Sequence, residues 1–176
     1  MCRAILMAIL ATVVLMPSLA QAQSDRPIQI ALVNPLQIFN EDQSIKGLRL
    51  NLIYGRNADV KGLDIGFIAG HTTGNQKGIA WNAINVTEGS FLGWQNGLVN
   101  LTDGAFTGFQ SGFFNRTQGT TEAFQWGFIN MAADVSGFQL GFINYAERMY
   151  GLQIGLLNII KSKDKLPVFP IVNWSF

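Results

Sequence analysis

The sequence predicts an all-β fold built from a repeat of about 15 residues, and three observations predict it. Residues 137–144 read GFQLGFIN and residues 151–158 read GLQIGLLN; related units start at 47, 62, 78, 93, 108, 123, 137 and 151. With the first glycine as position 0, large apolar groups fall at positions 1, 3 and 5, as in Phe138, Leu140 and Phe142. That period of two is a strand period. Two glycines in eight residues would each cost a helix about 1 kcal/mol relative to alanine.

In chain order, Arg3, the apolar run 4–15 and Ala20-Gln21-Ala22 form a signal peptide with cleavage after Ala22. The rest, 23–176, reads as a single repeat-built β domain, since no linker or composition shift divides it. Cys2, the single cysteine, departs with the signal, so no disulfide is expected. Residues 28–39 read as one strand, or two short ones, broken at Pro35, and 40–44 as an acidic turn. The repeats occupy 45–160; their linking segments, such as Thr87-Glu88-Gly89 and Thr102-Asp103-Gly104, carry turn residues. Residues 161–165 form a charged turn, and 168–176 a last strand containing Pro170.

Such units stack in two ways. In an antiparallel meander, eight repeat strands and two terminal ones give about ten, and the similar ends pair to close a β-barrel without free edges. In a β-solenoid each unit is one coil, with Gln stacked on Gln and Asn on Asn. The expectation is the barrel. The terminal Phe176, with Trp174, Val172, Pro170 and Val168 before it, resembles the C-terminal signal of bacterial outer-membrane barrels. A solenoid ordinarily turns a polar face outward, whereas glycine columns suit a narrow barrel interior. Against a membrane barrel stand cores of eight to ten residues, mid-strand aromatics and uniformly short loops.

The GLQIGLLN-type units, with the opening Gly47-Leu48-Arg49-Leu50-Asn51-Leu52-Ile53-Tyr54-Gly55 and the ending Phe169-Pro170-Ile171-Val172-Asn173-Trp174, resemble a family of bacterial secreted or surface repeat proteins without an assigned activity. They are also similar to the shallow symmetrical barrels called β-flowers. The resemblance covers nearly the whole exported chain and implies no catalytic residue.

No chemistry gathers in the chain. His71 is the single histidine and sits in a Gly-Thr-rich turn, without the ligand cluster a metal needs. Asp59, Glu88, Asp103, Glu122, Asp134 and Glu147 recur in the linking segments and read as solvated turns. No G-x-S-x-G, P-loop or dinucleotide fingerprint occurs in context. Arg49 and Asp64 occupy the Gln position in the first two units, where adjacent strands would place them side by side as an ion pair and registry device. Asn85, Asn100 and Asn115 match glycosylation sequons, but the repeat itself places Asn before Thr there. The exported chain keeps eleven of twelve basic residues against eleven acidic ones, a balance that excludes a nucleic-acid field.

The expected function is non-enzymatic. No catalytic, cofactor-binding or metal-ligating residue is expected. The expected setting is the outer membrane or cell surface, with a structural role and membrane, lipid or an apolar ligand as partner. The alternative is a soluble periplasmic or surface β-solenoid acting as an adhesion or scaffold module.

Overall fold

The computed structural model describes residues 26–176; the signal-peptide reading and Cys2 lie outside them. The described chain is all strand and turn: β1 (Arg26–Val33), β2 (Leu36–Gln37), β3 (Ile45–Asn57), β4 (Val60–Gly66), β5 (Ala69–Thr72), β6 (Gln76–Trp81), β7 (Ile84–Thr87), β8 (Phe91–Thr102), β9 (Phe106–Ile160) and β10 (Val168–Ser175). The strand reading of each repeat, the break at Pro35 and the last strand are therefore as expected.

The barrel is not. Successive repeats pair in parallel and in register: Gly47 faces Gly62, Gly62 faces Gly78, Gly78 faces Gly93, and Gly93 faces Gly108. Parallel neighbours require the chain to return to the same side after each unit. Each unit is thus one coil of a β-solenoid. Within one coil β4 runs along one wall between β3 and β6, and β5 along the other between β3 and β7. The corner joining them carries residues such as Phe67 and Ile68, and the linking turn lies at the opposite edge. Closure also fails, because the two ends of the chain lie at opposite ends of the strand order.

Why parallel stacking wins is visible inside the coil. The alternation expected for each strand holds, but the amide face points inward and the greasy face outward. Gln95, Gln110, Gln125, Gln139 and Gln153 are wholly buried, as are Asn100, Asn115, Asn130, Asn144 and Asn158. A buried amide is costly unless paired. In-register stacking gives each amide an identical neighbour, so a carbonyl and an NH₂ meet at every step. An antiparallel meander would reverse alternate units and destroy that match. The apolar part of the core is thin: one cluster of Ala80, Phe91, Phe106 and Ala123, and another of Ala132, Val135, Ala146, Met149 and Ile160.

The position-0 glycines make the close approach of coils possible. Gly93 has φ 135°, and a Cβ there would overlap the carbonyl oxygen of Gly78. Ala123 is the exception in this column; it is not among the positive-φ residues, and it joins the Phe106 cluster.

Both ends of the stack are closed by proline-bearing strands. β1 runs parallel to β3 and sets Gln29, fully buried, opposite Arg49. Residues 27–34 read PIQIALVN, a further copy of the unit with Pro27 in the glycine place. β10 reverses direction, lies antiparallel on the end of β9 and pairs Asn173 with Gln153.

Candidate functional site

Two amide ladders run through the coils. Gln110 donates to Gln95 at 2.8 Å, and Gln125, Gln139 and Gln153 each donate to the glutamine one coil below at 2.7 Å. The asparagines run the other way. Asn85 donates to Asn100, Asn100 to Asn115, and so on to Asn158, at 2.8–2.9 Å. The two rows of amide dipoles therefore oppose one another. The sequon reading of Asn85, Asn100 and Asn115 ends here, since side chains buried in a ladder present no amide to a modifying enzyme in the folded chain.

Below Gln95 the column changes character. Ala80 stands in the Gln place, and Gln95 Nε2 has no protein partner among the described residues. Next come Asp64 and Arg49, brought together as their shared position suggested. Arg49 Nη2 lies 2.6 Å from Asp64 Oδ2 and Nε 2.8 Å from Oδ1, with both side chains buried. Asn51 donates to Oδ1 at 2.7 Å and Gln76 to Oδ2 at 2.8 Å, so the carboxylate accepts four hydrogen bonds. Asn51 also donates to Asn82, and Asn82 to Asn85, which carries the network into the asparagine ladder. Gly66 and Gly70 leave the room: a Cβ at either would run into the Asn82 side chain.

Arg49 Nη1 also donates to the carbonyl of His71, linking this hub to the surface. His71 Nδ1 lies 2.7 Å from the Tyr54 hydroxyl and Nε2 lies 2.8 Å from Glu88 Oε1. With the proton on Nε2, Tyr54 donates to Nδ1 and His71 donates to Glu88. Burial pushes the Tyr54 phenol up from its ordinary value, with smaller opposing and reinforcing effects of Arg56, Glu41, Glu88 and Arg49. The Tyr54 hydroxyl bridges neighbouring coils through His71. Sequence reasoning missed this chain, because the longer corner in the first two units hides that Tyr54 and Ala69 share a column and that Arg56, His71 and Val86 share the column two residues further along.

The acidic residues do not converge. Asp59 accepts from the Asn75 amide at 2.7 Å, Asp103 pairs with Gln118, and Asp134 pairs with Arg148. Among the described residues no group of three or more His, Cys, Asp or Glu side chains could hold a metal. No helix of the described residues is long and apolar enough to cross a membrane.

The outer surface is the unusual one. Leu63, Ile65 and Phe67, and the matching Phe138, Leu140 and Phe142, stand exposed. The corner column Leu98, Phe113, Phe128, Phe142 and Leu156 is at least 42 % exposed throughout, so it forms an unbroken apolar ridge. Its rings stack: Phe113 on Phe128 at 4.9 Å and Phe128 on Phe142 at 4.8 Å. Asn96 and Ser111 interrupt the wall, and there Ser111 donates to Asn96 while accepting from the Trp94 indole. No protein-family model, curated protein or solved structure matches this chain.

Proposed function

We propose that this chain is a non-enzymatic β-solenoid scaffold or adhesion module of the bacterial cell surface, exported by its N-terminal signal. The observation that carries the reading is the pair of continuous buried amide ladders, from Gln95 to Gln153 and from Asn85 to Asn158. Such columns lock the coils to one register and make a stiff rod whose surface repeats at each coil. Eight units at about 4.8 Å per strand spacing span about 34 Å. Function then lies in the columns of identical side chains that the rod displays.

Hydrogen exchange on the chain from Gln23 onward tests this. A stiff rod requires the backbone amides of residues 85–158 to exchange slowly and together. Fast exchange through several of these coils would rule out a rigid scaffold.

A further inference from the structure

We propose that the apolar ridge seats in one leaflet of a lipid membrane, so that the solenoid lies along the membrane surface with its turn edge in water. The proposal rests on the rod reading and adds the partner.

The apolar surface is far larger than a monomer ordinarily leaves bare. Phe67, Leu98, Phe113, Trp126, Phe138 and Leu156 are each at least half exposed, and they belong to one face running the length of the stack. Exposed aromatic and aliphatic groups on this scale exceed the few hundred Å² of an ordinary surface patch. The face is also not confined to one wall. It covers the outside of one wall, turns the corner, and continues onto the other wall at Ile84 and Leu157, 38 % and 37 % exposed. Because the face bends round the corner, contact with a second copy covers one wall and leaves the other in water. Fluid acyl chains conform to a ridge.

The border of the face carries charge of the sign that phosphate headgroups attract. Lys61 and Lys77 flank the wall side in consecutive coils, with Glu122 the one acidic residue of that column in a later coil; Arg116 flanks the other side, as does Arg56, which is paired with Glu41 at 3.2 Å. Glu88, Asp103 and Glu147 lie further out, toward the turn edge. Long basic side chains reach a headgroup while their stems stay on apolar surface. An amphipathic element of this kind buries its apolar side about 5–10 Å into the headgroup and acyl boundary. Continuous with the ridge is an apolar groove of about 400 Å³ lined by Leu50, Leu52, Ile65, Phe67 and Trp81 over Gly66. That groove gives an acyl chain a place between coils.

The test uses the chain from Gln23 onward with phosphatidylcholine vesicles, with and without phosphatidylglycerol, some carrying brominated acyl chains. Trp81 and Trp126, both more than half exposed on this face, report contact with the chains. The expected result is flotation with the vesicles and quenching of tryptophan fluorescence by brominated lipid. A variant carrying Leu98→Ser, Phe113→Ser and Phe128→Ser should lose flotation at least tenfold while its circular dichroism is unchanged. If that variant does not fold, quenching of the unaltered chain decides alone. Three results overturn the proposal: no flotation on either vesicle, flotation without quenching, or a stable dimer in buffer that shields the tryptophans. In each case slow exchange through residues 85–158 would still leave the rod standing.

Discussion

The lower coils, residues 47–87, and the upper coils, residues 93–158, solve the same problem in different ways. In the upper coils every unit repeats its neighbour, and Gln and Asn each find an identical partner one coil away. In the lower coils the pattern is broken but the breaks compensate. Arg49 and Asp64 replace two glutamines, Gln76 moves to the opposite end of its strand as Ala80 takes the Gln place, and Asn51 fills space that Gly55 and Gly70 vacate. The difference teaches that a polar solenoid interior demands satisfied hydrogen bonds rather than a particular residue. A regular ladder can absorb the loss of one rung, whereas a charged hub depends on all of its members.

Removing one charge should separate the two regions most sharply. Arg49→Met leaves Asp64 buried with only Asn51 and Gln76 as donors, and should cost about 3–5 kcal/mol in urea unfolding. Asp64→Leu added to it should restore part of that loss, with a coupling energy of about 2 kcal/mol in the double-mutant cycle. Strict additivity would mean the pair is not coupled. Gln125→Leu orphans one acceptor and one donor in the regular ladder and should cost less, about 2–3 kcal/mol by the same measurement. If Gln125→Leu proved the worse of the two, the contrast between hub and ladder would be wrong.

A second comparison is within one column. Gly108 has φ 129° and a Cβ there would overlap the Gly93 carbonyl, whereas the neighbouring Ala123 already places a Cβ in the core. Gly108→Ala should lower stability by about 2–3 kcal/mol, and Ala123→Gly by about 1 kcal/mol or less. Equal effects in thermal unfolding would show that coil contact does not dictate glycine.

Much of this is legible in the sequence. The period, the strand character, the alternation of an amide face with an apolar face, and the meeting of Arg49 with Asp64 all follow from aligning the units; which face turns inward does not. The direction of stacking did not. An eight-residue amphipathic strand followed by a turn reads alike whether the chain folds back as a hairpin or circles round as a coil. The deciding physics is the matching of buried amides between whole units, and a solenoid with a greasy exterior runs against the ordinary expectation. The copy at residues 27–34 was present but hidden by Pro27 in the glycine place. The Tyr54, His71 and Glu88 chain needed the register that only the longer corner supplies.

The smallest expected effect is on alkaline stability. Tyr54 holds its phenolic proton above its ordinary value of 10.0 because of burial. The unfolded chain therefore releases this proton first as pH rises. The contribution is full below about pH 10 and is lost as pH climbs through the raised folded value. Tyr54→Phe should flatten the fall in stability above pH 10, and an unchanged slope would show that Tyr54 does not report on these coils.

The central claim is parallel, in-register stacking, and a cysteine pair tests it most directly. Leu92 and Thr107 face each other across β8 and β9 on the outer surface. Adjacent strands lie about 4.8 Å apart, within the Cα separation a disulfide accepts. In the chain from Gln23 onward, the double variant Leu92→Cys and Thr107→Cys should oxidise rapidly to a monomeric cross-linked species that keeps its fold. An antiparallel arrangement would put these positions at opposite ends of neighbouring strands. Failure to cross-link, with both thiols free in a folded chain, would contradict the solenoid.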